Sequence, residues 1–303
     1  MERILSNLKT WALAATALLA MANGPAGEDD FDTLVAAERR FAADAAAQGI
    51  TPAFRAHVAP DGMLISPAPH PAPPELAART DPPGARLEWQ PEAAGIARSG
   101  DLGFTTGPYV MRIGDRVVHG QFFTIWRRSP DGKWRWLIDS GSGPFGRGEV
   151  AMPARVARIG TSAASPGGED LAAVEQRLDA DVVAIGGFLA ADGRVLRPGG
   201  PPAIGEAGIA LAARGPKGVG KRLGGGQSSA GDLAYSYGRV DAAGGPLIGH
   251  YVRVWQREAA GWRLLVDQFA PLPPGPDAKA GEAVQPTPGS SKSTTSPSSQ
   301  TLG

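Results

Sequence analysis

The sequence predicts an α+β protein made of two tandem copies of one domain, and three observations carry that reading. First, the chain echoes itself. The stretch from Ser99, "SGDLGFTTGPYVMRIGDRVVHGQFFTIWRRSPDGKWRWLIDSG", returns from Ala230 as "AGDLAYSYGRVDAAGGPLIGHYVRVWQREAAGWRLLVDQF". Asp101 aligns with Asp232, Gly120 with Gly249, Trp126 with Trp255, Trp134 with Trp262 and Asp139 with Asp267. Kept order and spacing mark a repeated structural unit. Second, a stretch with apolar residues at helical spacing precedes each echo. Third, each echo holds long runs rich in aromatic and β-branched residues, which read as strands.

Taken in order, "EDDFDTLVAAERRFAADAAAQG" opens the first copy. Phe31, Leu34, Val35, Ala37 and Phe41 form one helical stripe, and Gly49 follows as a stop. "AERRF" (37–41) is answered by "VEQRL" (174–178), and "APDGMLISP" (59–67) by "AADGRVLRP" (190–198). "GDLGFTTGPYVMR" and "RVVHGQFFTIW" flank the turn "IGD", while "SPDG" joins "VVHGQFFTIWRR" to "KWRWLIDS". Two successive hairpins make a three-stranded antiparallel meander, and one amphipathic helix can cover its face. The domains are expected at 29–142 and 168–270, with 143–167 as a linker that holds a short segment at Val150–Ile159. The tail, 271–303, is too poor in apolar residues to fold.

The N-terminus, "MERILSNLKTWALAATALLAMANG", places Arg3 and Lys9 before an apolar run from Trp11 to Ala22 that ends in Ala20-Met21-Ala22. That pattern predicts a signal peptide over 1–22 and a periplasmic or secreted protein. The run is short against the roughly 20 residues of a membrane-spanning helix, so no stable membrane anchor is expected. The chain contains no cysteine, which excludes a disulfide framework and cysteine lipidation.

A chain of 303 residues, 42% of them hydrophobic, can fill two cores. Its 30 basic and 30 acidic residues cancel with no basic run, so the electrostatic drive for nucleic-acid binding has no source. "GPKGVGKR" (215–222) has Walker A spacing, but Arg222 stands where a hydroxyl must hold Mg²⁺. The alanine-rich "EAGIALAARG" before it reads as a helix ending at Gly215, which leaves "GPKGVGKR" as a turn with solvated Lys217 and Lys221. His57, His70, His119 and His250 lack the spacing of a zinc site, and no G-x-S-x-G occurs. "GGGQSSAG" lacks the strand-to-helix setting of a dinucleotide loop. Neither a metal nor a cofactor is expected.

The helix with "AERRF", then "FRAHVAPDGMLISP", "SGDLGFTTGPY", "HGQFFTIWRR" and "GKWRWLIDSG" together resemble the nuclear transport factor 2-like, ketosteroid-isomerase-like (SnoaL-like) superfamily. Within it they are most similar to the bacterial domain-of-unknown-function 4440 group. The resemblance covers about residues 29–142 of the first copy, and in the second only about Gly231–Phe269 is well matched. It implies two cone-shaped α+β barrels, each with N-terminal helices packed on a curved antiparallel sheet. Members of the superfamily use the cone for isomerisation, dehydration, epoxide opening, cyclisation, or only for binding and dimerisation. The second copy departs from the pattern: 23 residues separate Glu38 from Asp61, but 17 separate Glu175 from Asp192. "LEWQPEAAGIAR" also finds only "KRLGGGQSSA" in its place.

Candidate site residues follow from strand alternation and from the resemblance. On "HGQFFTIWRR" the cleaner apolar face carries His119, Gln121, Phe123 and Ile125, which makes Gln121 and its equivalent His250 inward-pointing candidates. Asp139 and Asp267 close the last long strand. At the mouth of an apolar cavity they can serve as general bases, or they accept backbone amides or pair with Arg135 and Arg263, four residues back on the strand. Asp101 and Asp232 read as turn formers. His57, after "TPAF", falls where the second short helix of the superfamily lines the cavity, and Phe188 replaces it in the second copy. Trp89, Trp126 and Trp134 either floor a ligand cavity or fill core. The candidate sets are therefore His57 and Asp139 for acid–base chemistry, and Trp89, Tyr109, Gln121, Phe123, His250 and Asp267 for ligand binding. Two functions remain: an exported module that binds a small apolar or amphipathic molecule or pairs its cones, within the chain or as a homodimer; and an isomerase- or dehydratase-like enzyme using His57 or Asp139.

Overall fold

A computed structural model describes residues 28–144, 153–160 and 169–273. The segment read as a signal peptide, most of the linker and the tail from 274 lie outside the described residues.

The first half begins with α1 (Glu28–Gln48), whose stripe of Phe31, Leu34, Val35 and Phe41 is buried as its spacing predicts. Gly49, at φ 104°, ends it and leads into α2 (Ile50–His57). There follow β1 (Val58–Ile65), β2 (Pro69–Pro71), α3 (Ala72–Ala78), β3 (Arg86–Trp89), β4 (Ala93–Ile96), β5 (Leu102–Ile113), β6 (Arg116–Arg128) and β7 (Trp134–Ser142). The linker contributes β8 (Ala157–Arg158), which lies parallel to β4. The sheet runs β2-β1-β7-β6-β5-β4-β8, with β3 also paired to β5.

The second half repeats this order in shorter form. It has α4 (Leu171–Asp179), a single 3₁₀ turn at Ile185–Gly187, β9 (Leu189–Leu196), β10 (Ala203–Ile204), α5 (Gly205–Ala213), β11 (Gly218–Gln227), β12 (Leu233–Ala242), β13 (Leu247–Glu258) and β14 (Gly261–Pro271). Its sheet, β10-β9-β14-β13-β12-β11, reproduces the path of the first from β2 to β4, including a parallel step, β9 beside β14 as β1 lies beside β7. The protein is thus α+β, two mixed sheets each covered by helices. The residues missing before Asp192 are helical ones: α4 has 9 residues where α1 has 21, and a 3₁₀ turn stands where α2 would be.

One sequence expectation needs correction here. "GPKGVGKR" is not a turn, because Gly218 onward runs into β11, although Lys217 and Lys221 are exposed as expected. "KRLGGGQ" is the structural counterpart of β3 and β4, since it pairs with β12 as they pair with β5. Its glycines are needed for close packing. A Cβ at Gly224 or Gly226 would run into the ring of Tyr237 or Tyr235. Glycine under an aromatic ring disguises a strand as a loop.

Each sheet has two buried faces. The helix-side face of the first carries Phe122, Trp126, Trp134 and Trp136 against Leu34, Phe41, Phe54 and Leu76. The opposite face carries Phe104, Phe123, Ile125 and Ile138, which pack in one cluster with Leu233, Val252, Val254 and Val266 of the second half. The two sheets therefore meet face to face. Asp101 and Asp232 sit in their turns as expected, and each reaches across this junction. Asp101 Oδ2 accepts the Ser229 N–H and Asp232 Oδ2 accepts the Arg98 N–H, both at 2.9 Å. Reciprocal use of equivalent residues is the pattern of a two-fold interface. Gln268 adds donations to Ser140 Oγ at 2.7 Å and to the Gly141 carbonyl at 2.6 Å.

Candidate functional site

The helix-side interior of the first half is aromatic around a polar centre. Phe41 meets Trp89 edge-on with ring centroids 4.9 Å apart, and Phe54 meets Trp136 at 5.9 Å. Within this shell Glu38 is fully buried. It lies on the apolar stripe of α1, one turn after Leu34 and Val35, so the amphipathic packing that seats the helix also carries its carboxyl inside. Burial pushes its pKa up, and three donors work against that rise. Trp89 Nε1–H donates to Oε1 at 2.5 Å, Trp126 Nε1–H donates to Oε2 at 3.0 Å, and the Thr105 hydroxyl also donates to Oε2. Buried carboxyls persist when their lone pairs are filled in this way.

Asp139 shares this interior. A β-bulge aims it there: Ile125 pairs with Ile138 but Trp126 with Trp136, which leaves Leu137 as an extra residue in β7. The extra residue shifts the alternation, so Trp134 and Trp136 before it and Asp139 after it all face the helices. Asp139 keeps some solvent-accessible surface although protein atoms crowd it. Thr124, its cross-strand partner, donates a hydrogen bond to its Oδ2 at 3.3 Å. Burial, reinforced by the negative charge of Glu38, raises its pKa to about 8, with Thr124 and the Arg79 guanidinium opposing. Two nearby carboxyls do not both ionise readily. With its pKa raised to about 8, Asp139 keeps its proton at neutral pH.

The equivalent position in the second half is arranged in the opposite sense. The same bulge recurs, with Val254 on Val266 and Trp255 on Leu264, and it turns Asp267 inward. The cross-strand partner there is Arg253 in place of Thr124, and Arg197 follows β9 where Ser66 follows β1. Arg253 Nε lies 3.2 Å from Asp267 Oδ1, and Arg197 Nη2 lies 2.5 Å from Oδ2. Burial opposes the Asp267 charge, but Arg197 and Arg253 overcome it and hold its pKa below the usual carboxylate value. The upper part of the polar centre is shared: Trp255 Nε1–H donates to Glu175 at 2.9 Å as Trp126 does to Glu38.

The structure places the other sequence candidates as follows. Trp89 is inward and bound to Glu38; Tyr109, its cross-strand partner, is inward too, with burial pushing its phenol up to about 12. His57 is a correction. Its Nε2–H donates to Asp44 Oδ2 of α1 at 2.8 Å, and this bond leads the causes that lower the Asp44 pKa. Among the described residues no hydrogen bond or ion pair joins His57 to Asp139. Gln121, Phe123 and His250 are also corrections, because the cleaner apolar face of β6 and β13 is the junction between the sheets and not the cone interior. Phe123 lies in the inter-sheet cluster, Gln121 donates to Thr106 Oγ1 at 3.2 Å, and burial lowers the His250 pKa while its hydrogen bond to the Pro67 backbone of the other half opposes that shift. Arg135 pairs with Asp131 and Arg263 with the Gly187 carbonyl, so neither serves an inward aspartate.

Sequence reasoning used Glu38 and Glu175 as register marks and missed them as site residues. The signal was present: a glutamate on the buried stripe of a helix, at matched positions in both copies. Among the described residues no group of three or more His, Asp and Glu could hold a metal ion.

No family model matches the chain, and no curated protein matches it. Among solved structures it is similar to an NTF2-like protein with a cystatin-like fold from Novosphingobium aromaticivorans, at 17% identity over 37% of this chain and 80% of that one, TM-score 0.31. It is similar also to an NTF2-like protein of unknown function from Shewanella oneidensis MR-1, at 19% identity over 38% and 97% of the two chains, TM-score 0.30. An NTF2-like protein involved in plasmid conjugation matches 79% of this chain and 95% of its own, at 10% identity and TM-score 0.22.

Proposed function

We propose that the chain is an exported tandem protein of the NTF2-like superfamily whose first half binds a small amphipathic molecule in its cone. In this reading the Asp139 carboxylic acid donates a hydrogen bond to an acceptor on the ligand, such as a carbonyl oxygen. One observation carries it: Asp139 faces an aromatic interior, retains accessible surface, has a pKa of about 8, and is met only by a 3.3 Å hydroxyl contact. A protonated carboxyl with spare donor capacity among apolar walls recognises an acceptor and excludes an anion, because Glu38 already supplies negative charge. Export rests on the N-terminal pattern, and the tandem assignment on the repeated motifs.

The test uses 6-propionyl-2-dimethylaminonaphthalene, an apolar fluorescent ketone whose emission reports both burial and hydrogen-bond donation to its carbonyl. Binding is expected at pH 6–7 and should weaken as pH rises through about 8, where Asp139 loses its proton. Asp139→Leu should abolish the hydrogen-bonded emission, and Asp139→Asn should bind with no pH dependence. Binding unaffected by both variants would contradict the reading.

The enzymatic reading survives in reduced form. With His57 bound to Asp44, it rests on Asp139 alone, whose pKa allows proton exchange near neutrality. Loss of the ketone α-proton signals in D₂O, dependent on Asp139, would favour it over simple binding.

A further inference from the structure

The second cone differs from the first by a coordinated set of substitutions. Where the first half has Ala42, Ser66 and Thr124, the second has Asp179, Arg197 and Arg253 at the matched positions. Arg253 is 1% exposed and lies on the inward face of β13. Its Nη1–H donates to Asp179 Oδ1 at 2.6 Å and its Nε–H to Asp267 Oδ1 at 3.2 Å. Its guanidinium carbon sits 3.8 Å from the centroid of the Tyr251 ring. Two carboxylates in the plane of a guanidinium and an aromatic face against it are the elements by which proteins recognise that group as a ligand. Arg197 also binds Asp267, donating to Oδ2 and to the backbone carbonyl. The cleft left over, lined also by Val182, Val240 and Phe269, has room for about 20 Å³, the space of one water molecule.

We infer that the second cone is a guanidinium site already occupied by the chain's own Arg253, and is for that reason closed to an outside guanidinium. The two cations and two anions of the cluster balance. Truncating Arg253 leaves an acidic, aromatic-faced hole of guanidinium shape, and the ligand class it takes is a small guanidinium or amidine. The first cone lacks both the Asp179 carboxylate and the ionised partner, so it has no such affinity. This inference stands apart from the identity of any ligand in the first half.

The test is chemical rescue of the full chain. Arg253→Ala should melt well below wild type, and millimolar methylguanidinium should restore most of the loss. Methylurea, the neutral isostere, and an equal concentration of NaCl should not. Wild type should respond to none of the three. Should Arg253→Ala fail to fold unaided, refolding with methylguanidinium is the readout: recovery of folded protein supports the inference and no recovery contradicts it. Arg253→Thr, which copies the first half, should show the same selective response. Equal shifts in wild type and variant, or equal rescue by methylurea, would overturn the proposal.

Discussion

At the scale of single residues, the protein sets one aspartate position in two environments and obtains two protonation states. Asp139 faces Thr124 and Asp267 faces Arg253, and the cross-strand neighbour decides which form burial favours. The consequences for stability have opposite signs. The Asp139 pKa is raised in the folded state, so between the unfolded value of 3.8 and about 8 the native chain holds a proton that the unfolded chain has lost. Stability therefore falls as pH rises through that window. Asp139→Asn should raise the melting temperature at pH 8, and the gain should vanish near pH 4, as scanning calorimetry at the two pH values will show. The Asp267 pKa is lowered, so its contribution is present above 3.8 and is lost as pH falls through the lowered value. Asp267→Asn removes the charged partner of Arg197 and one of the two carboxylates that hold the buried Arg253, and should cost about 3–5 kcal/mol in urea unfolding at pH 7. Little of this contrast could be read in the sequence. Both aspartates end the same motif, and the arginines that separate them, Arg197 and Arg253, come from positions distant in the chain.

At the scale of elements, α1 is both a lid for the sheet and the carrier of Glu38. Glu38→Ala would leave the Trp89 indole N–H and the Thr105 hydroxyl without their acceptor, at about 1–3 kcal/mol for each group that finds no water, while the Trp126 N–H keeps Thr105 Oγ1 at 2.9 Å. It would also remove the charge that helps lift Asp139, whose pKa should fall. Circular dichroism in denaturant reads the first effect and a carboxyl titration reads the second. The helix itself was legible because its stripe is regular, and so were the β5–β6 and β6–β7 hairpins, with turns at "IGD" and "SPDG". The facing of β6 and β7 was harder to read. A strict alternation puts Asp139 on the face opposite Trp136, and only the Leu137 bulge returns it to the same side. Period-two reasoning also presumes that the cleaner apolar face encloses a cavity. Here that face is buried against a second sheet, and the mixed face with Thr124 and Trp126 encloses the polar centre.

At the scale of the whole molecule, duplication supplies both an apolar junction and a division of roles. The first half keeps a carboxyl whose pKa is raised to about 8, and the second fills its own centre with ion pairs. Because Ile125 and Val254 belong to one inter-sheet cluster, a charge at either should destabilise both halves together. Ile125→Asp is expected to lower the unfolding midpoint of Trp262, in the second half, along with that of Trp134, in the first; a response confined to the first half would show the junction to be weak. The repeat was legible from matched aspartates and tryptophans. The face-to-face junction was not, because a sequence shows which residues recur and not which of two apolar faces the copies share. The account rests on Asp139 carrying a proton that Asp267 lacks, and a pH titration of ¹³C-labelled aspartate carboxyls by NMR tests it most directly. It predicts one resonance titrating near pH 8 that disappears in Asp139→Asn, and an Asp267 resonance still ionised below pH 3.8. A spectrum in which every aspartate titrates at or below 3.8, or in which the late-titrating signal survives Asp139→Asn, would contradict it.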